Sequence, residues 1–262
     1  MGPLSIQGDS IRAFIEARGR RPLPPEIPQL LRPRTISEGY SLQRAIHEHL
    51  RADCEQRIGY KVGSTSAAGQ RGFGLQEPVY AGIFASGNAP SLADALARPL
   101  ARPSLECEIA LILRADIDGS DPDLSDANIA DAVESCHIAC EIIDNRYGDP
   151  LALGVPSLIA DDFFNDSIVI GPANPAWRAQ DLANADATLD IDGIRVAGNA
   201  RDVLSAYAST CWLARSLAAY GIKLLAGEIV MTGSITVPTA VVPSARPITL
   251  TISGFAPLST AP

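Results

Sequence analysis

Histidine is scarce in this chain: three stand among 262 residues, at positions 47, 49 and 137. A Ser-His-Asp hydrolase or a histidine-ligated zinc enzyme needs better-placed imidazoles. His47 and His49 share one helical segment, and His137 reads as a structural residue at the start of a strand. Cysteine is limited to an odd number, five, with no CxxC pair and no spacing that fits a zinc motif. Cys107 and Cys211 sit in apolar contexts and read as packing residues. No apolar run approaches the ~20 residues of a membrane span. The opening stretch "MGPLSIQGDSIRAFIEARGR" has no apolar core of signal-peptide type. A reducing cytoplasm is the expected location. Basic residues are outnumbered, 21 against 30 acidic ones, and the net charge of -9 argues against a nucleic-acid partner. An anionic substrate then needs a local source of positive charge, from a metal ion or a few Lys and Arg residues. Neither a GxGxxG nor a GxxxxGK[ST] loop occurs, and "GQRGFG" at 69–74 resembles a glycine loop only superficially.

What is present is a globular composition, 47% hydrophobic and 19% charged, too apolar for disorder. Residues 5–18 carry Ile11, Phe14 and Ile15 at helical spacing. "RPLPPEIPQLLRPR", 21–34, holds five prolines and reads as an extended surface connector. A second helix is expected from Ser37 as N-cap, with Tyr40, Leu42, Ala45, Ile46 and Leu50 as its apolar stripe. Strands are expected at 57–66, in "YAGIFAS", at 105–113 and 138–143, and in "DSIVIG", "ATLDIDGIRVAG" and "ITLTISGF". Asp192–Gly193 is a hairpin turn signal. Residues 72–90 read otherwise as glycine-rich loop, "DPDLSDANIADAVES" as an acidic turn entering a helix, and 201–220 as the longest helix, closed by Gly221. Many short strands without regular β-α alternation predict a mixed or largely antiparallel sheet, class α+β.

The stretch "SLECEIALIL", 104–113, places carboxylates in an apolar strand. Side chains alternate, so Glu106 and Glu108 share a face with Ala110 and Ile112. A second apolar strand, "IACEIIDNR", carries Glu141 in mid-run. Neighbouring strands lie ~4.8 Å apart, so pairing these two can gather all three carboxylates. Two readings follow: glutamates at strand ends in water, or a hard oxygen site for Mg²⁺ or Mn²⁺. Their joint placement favours the second. Lys61 in "IGYKVGST" is the complementary charge, either an ordinary surface lysine or a donor to a substrate oxygen that also moves a proton. Thr232, Gly233, Ser234 and Thr236 offer small hydroxyl and backbone donors to a carboxylate.

"IGYKVGSTS", "LECEIALIL", "ACEIIDNR", "IADDFFNDSIVIG" and "WLARSLAAYGIKLLAGEIVMTGSITVP" together resemble the 2-hydroxypenta-2,4-dienoate (2-oxopent-4-enoate) hydratases. With the 4-oxalocrotonate decarboxylases, these belong to the fumarylacetoacetate hydrolase superfamily. The resemblance runs from about residue 35 to 253. It implies a mixed β-roll with outer helices after a small N-terminal helical region, divided here as 1–70 and 71–262. It implies Mg²⁺ or Mn²⁺ on Glu106, Glu108 and Glu141, catalysis by Lys61, and substrate contacts at Gly233, Ser234 and Thr236. The chain departs from the family pattern where the substrate is expected. Val79 stands in "EPVYAG" where an acid is usual, and Phe163 and Phe164 replace small residues in "ADDFFND". "RDVLSAYAS" lacks the usual Gly-His-Pro. Val79 and Phe164 are thereby expected at a more apolar substrate pocket. The expected activity is hydro-lyase: water adds to a small 2-hydroxydienoate or 2-oxo-enoate through a metal-bound enolate. Decarboxylation of a 2-oxo diacid and C–C hydrolysis of an acylpyruvate share that enolate and are alternatives. A non-catalytic partner subunit is an alternative of another class. A homo-oligomer, possible association with a related pathway enzyme, and a role in aromatic-compound catabolism complete the expectation.

Overall fold

The computed structural model describes residues 3–19, 27–242, 244 and 247–260. In chain order the main elements are α1 (Pro3–Gly19), α2 (Ile36–Ala52), β1 (Arg57–Gly63), α3 (Ala67–Phe73), β2 (Val79–Phe84), α4 (Leu92–Leu96), β3 (Pro103–Leu113), α5 (Asp126–Ala132) and β4 (Val133–Asp144). Then follow α6 (Pro150–Leu153), α7 (Val155–Ala160), β5 (Asn165–Ala173), β6 (Asp186–Ile191), β7 (Ile194–Asn199), α8 (Ala206–Ala218), β8 (Ile229–Ser234), β9 (Thr239–Ala240), β10 (Ile248–Ile252) and β11 (Leu258–Ser259).

The large sheet runs β2-β1-β8-β3-β4-β5, with β9 added alongside β3. It is mixed: β1 and β8 are parallel, and the other pairs are antiparallel. Its two ends curl toward each other, so that β2 touches β5 and Asn88 bridges Ile168. The expected mixed β-roll is therefore what forms. A smaller antiparallel sheet, β11-β10-β6-β7, packs against β3 and β4. The turn between β6 and β7 is the expected Asp192–Gly193 pair, both with positive φ, 52° and 82°.

Alternation gives the roll two apolar faces. Tyr60, Val62, Leu105, Cys107, Ile109, Leu111 and Leu113 join the main core under the helices and the small sheet. Ile83, Ala110, Ala139, Ile168, Ile229 and Met231 form a separate cluster inside the curl. The alanines there suit its narrow bore.

Local expectations needed correction in places. Helix α2 is capped by Thr35, whose hydroxyl accepts the Glu38 N–H at 3.2 Å, not by Ser37. The threonine hydroxyl satisfies a first-turn N–H and starts the helix two residues earlier. The glycine-rich loop expected from residue 72 is preceded by a helix, α3, started by a Ser66 cap and ended by Gly74 in the left-handed conformation. Strand β4 begins at Val133, directly after α5, and β1 ends at Gly63. Helix α8 starts only after its Ser205 cap and, at 13 residues, is shorter than the 17 of α1 and α2. Of the proline-rich connector, 21–26 lie outside the described residues; Ile27 is buried, and Gln29–Leu31 form a 3-10 turn. Strand β1 precedes the expected boundary at residue 70, yet it is a full member of the large sheet.

Candidate active site

The β3–β4 register sets Glu106 directly opposite Glu141, and Glu108 opposite Ala139. All three glutamates lie on the inner face of the roll, above the small apolar cluster. One carboxylate oxygen from each of Glu106, Glu108 and Glu141 lies within 4.8 Å of the other two. Strand β1 brings Lys61 to the same face by pairing with Ala81 on one side and Met231 on the other. Its Nζ stands 3.2 Å from Glu141 Oε1 and donates to the Phe163 carbonyl at 2.9 Å. The Asn165 amide donates to the same Glu141 oxygen at 2.8 Å. Gly233 donates its backbone N–H to Glu108 Oε2 at 2.9 Å. Its φ of +106° suits glycine, and a Cβ there would lie 2.4 Å from Thr65 Oγ1.

Two buried acids and the half-buried Glu106 around one ammonium crowd negative charge. Burial, then the neighbouring Glu141, push the Glu106 carboxyl up to about 8, although Lys61 pulls the other way. Burial, Glu141 and Glu106 raise Glu108 well above the usual carboxylate range, against the Gly233 N–H and Lys61. Burial alone would lower the Lys61 ammonium; Glu141, Glu106 and Glu108 outweigh it and raise the group.

A cavity of about 480 Å³ opens above the cluster. Lys61, Glu106, Ser234 and Thr236 line it, with Phe73, Phe163, Phe164 and Ile143 as an apolar wall. Glu108 and Glu141 sit beneath, each 1% exposed. Val79 and Gly233 do not line it. Val79 pairs with Gly63 in the β1–β2 register and packs behind that glycine. Gly233 faces Glu108 instead of the opening. His137 bonds Ser135 and the Gly171 carbonyl, away from the carboxylates, as a structural residue does.

The segment carrying Phe163 and Phe164 is unusual. Asp162, Phe163 and Phe164 have φ of 55°, 47° and 70°, three left-handed residues in succession. Each costs roughly 1–2 kcal/mol in a non-glycine residue. Two aspartates tie the turn down. Asp161 accepts hydrogen bonds from Arg18 Nε (2.9 Å), Arg146 Nη1 (2.7 Å) and Tyr147 Oη (2.7 Å). Asp162 accepts from Arg18 Nη2 (2.8 Å) and the Gly82 N–H (3.0 Å) and pairs with His47 Nε2 (2.8 Å). Arg18, Asp161, Asp162, Asn165 and the cavity-lining Asp202 go beyond the residues to which the sequence points. The adjacent acids in "IADDFFND" were a visible signal, but their partner Arg18 is 143 residues away from Asp161.

No protein-family model matches the chain. A 2-keto-4-pentenoate hydratase of Paraburkholderia phymatum is 30% identical over 221 residues, 82% of each chain. The chain superposes on a 4-oxalocrotonate decarboxylase from Pseudomonas putida G7, complexed with magnesium and adipate, with a TM-score of 0.80 at 22% identity, over 98% of this chain and 95% of the other. A fumarylpyruvate hydrolase from Pseudomonas aeruginosa, in complex with Mn²⁺ and pyruvate, gives 0.59 at 20% identity, over 78% and 88%.

Proposed function

Because the chain belongs to the family of the 2-keto-4-pentenoate hydratases, we propose that it is a divalent-metal-dependent hydro-lyase adding water to a small 2-hydroxydienoate or 2-oxo-enoate. The observation that carries this reading is charge. Glu106, Glu108 and Glu141, when ionised, contribute three negative charges and Lys61 one positive, and the remaining two match a divalent cation. Glu106, Glu108 and Glu141 would hold that ion, with magnesium as our first choice and manganese as the second. When bound, it supplies a Lewis acid for the carbonyl of a 2-oxo acid.

The chain's own groups divide the remaining work. Lys61 keeps its proton at neutral pH, and two of its three N–H donors are engaged by Phe163 and Glu141. The third serves a substrate oxygen, and the ammonium supplies the proton for ketonisation. Thr236 accepts the Cys107 N–H at 3.3 Å, which leaves its hydroxyl hydrogen for a substrate carboxylate. Ser234 donates to the Thr236 carbonyl at 2.6 Å and fixes that corner. Phe163, Phe164 and Phe73 exclude water and select an apolar tail.

Decarboxylation of a 2-oxo diacid is the second reading, supported by 26% identity over 227 residues to a 4-oxalocrotonate decarboxylase of Pseudomonas putida. Homo-oligomerisation and a cytoplasmic location belong to the same proposal. Exposed Leu151, Ile194 and Val237 offer apolar surface for the first, and five free cysteines suit a reducing compartment for the second.

The deciding experiment incubates the pure protein with Mg²⁺ or with chelator and three probes: a 2-hydroxydienoate, oxalocrotonate and an acylpyruvate. Ultraviolet absorbance and product mass are followed. We expect metal-dependent loss of the dienoate absorbance and a product one water heavier. Release of CO₂ selects the decarboxylase reading, and no turnover of any probe selects the non-catalytic subunit.

A further inference from the structure

The left-handed turn at 162–164 delivers two contacts to the site. Its Phe163 carbonyl anchors Lys61, and Asn165, just beyond it, orients Glu141. Such a turn persists only where its surroundings over-determine it. Among the described residues, Arg18 alone bridges both aspartates of the turn by side-chain ion pairs, at 2.9 Å to Asp161 and 2.8 Å to Asp162. It comes from the last turn of α1, an element with no residue on the cavity wall. Its side chain is 20% exposed, whereas the two carboxylates are at 1% and 4%. The guanidinium is a planar fork that meets two acceptors at once, which a single ammonium cannot reproduce.

We infer that Arg18 is a positioning residue. By clamping Asp161 and Asp162 together it holds the turn at the height where Phe163 fixes the Lys61 ammonium and Asn165 fixes the Glu141 carboxylate. The inference rests on the reading of Lys61 and Glu141 given above. Arg18 touches neither the cavity nor the three glutamates, so its influence runs through the turn.

The test compares wild type, Arg18→Ala, Arg18→Lys and Asn165→Ala in the full chain. Mn²⁺ affinity is read by electron paramagnetic resonance, kcat and KM by steady-state kinetics, and the Lys61 ammonium by ¹⁵N NMR. Partners that orient metal-holding residues carry about 10–100-fold in affinity or activity. Arg18→Ala should therefore weaken Mn²⁺ binding by about tenfold and lower kcat by ~10–100-fold, with KM nearly unchanged. It should also broaden or shift the Lys61 signal. Arg18→Lys should stay impaired, and Asn165→Ala should reproduce the loss of Mn²⁺ affinity with Lys61 unaltered. A folded Arg18→Lys protein with wild-type Mn²⁺ affinity and kcat overturns the inference, because charge alone then suffices. Losses that merely track the unfolded fraction overturn it as well. If Arg18→Ala does not fold, Arg18→Lys and Asn165→Ala decide. Should the wild type bind no Mn²⁺, the metal reading fails separately, and the Lys61 signal still tests the clamp.

Discussion

Two clusters of buried acids meet at the turn after α7, and they are built on opposite terms. Asp161 and Asp162 are ringed by Arg18, Arg146, His47 and Tyr147. Burial opposes the charge on Asp162, yet His47 and Arg18 hold its carboxyl below the usual range. Glu106, Glu108 and Glu141 have one ammonium among three carboxylates, and the first two are pushed up. A buried acid with its full set of cationic partners is finished architecture. A buried acid cluster short of cations has a place for one more. The difference separates support from site around one turn, without reference to sequence motifs.

Exchanging charge in each cluster should break this contrast if it is wrong. Glu108→Gln should cost more than ~100-fold in metal-dependent turnover, beyond the 10–100-fold carried by residues that only orient a site. In chelator the same variant should unfold no earlier than wild type, since it removes one charge from a crowded group. Kinetics at saturating Mg²⁺ and thermal melts in EDTA measure both, and unchanged turnover would remove Glu108 from the site. Asp161→Ala should act in the reverse sense. It strands Arg146 and half of the Arg18 clamp, and denaturant unfolding should show a loss of about 3 kcal/mol.

The pH dependence sharpens the contrast further. In the metal-free protein Glu106 binds its proton more tightly folded than unfolded, so its contribution is complete below about 4.5 and is lost as pH rises toward about 8. Asp162 has the opposite sign: its contribution is present above its unfolded value of about 3.8 and is lost as pH falls below it. Metal-free melts should therefore decline from pH 5 to 8, and saturating Mg²⁺ should flatten or reverse that decline. A metal-free melt that rises across that range would refute the assignment. The smallest effect belongs to the wall between the clusters. Phe164→Ala should lower kcat/KM for a dienoate with an apolar tail by about tenfold relative to the shortest one, the scale of a few lost apolar contacts. An equal change for both substrates would count against tail selection.

The acid site was legible in the sequence because strand alternation is local and strict. Glu106, Glu108 and the partner strand of Glu141 required only a period of two and one pairing. Lys61 followed from its own short strand, and Thr236 lies just beyond the end of β8, on the cavity wall. The turn was not legible. Bulky residues disfavour left-handed backbone, so no propensity predicts three in a row over Asp162, Phe163 and Phe164. Val79 was misplaced for a related reason: the family pattern names the position, but register decides which neighbour shields it, and here that neighbour is Gly63. Helix ends went astray where several Ser and Thr residues compete to cap, as at Thr35 and Ser37.

The parallel pairing of β1 with β8 has a consequence in the timing of synthesis. Arg57 and Glu228, which pair across these strands, are 171 residues apart. At ~5–20 residues per second, β1 leaves the ribosome roughly 10–30 s before the strand that will cover it. Until then it has only β2 beside it, and one edge is bare. Lys61 can therefore meet Glu141 only after β8 has joined β1 to β3 and β4.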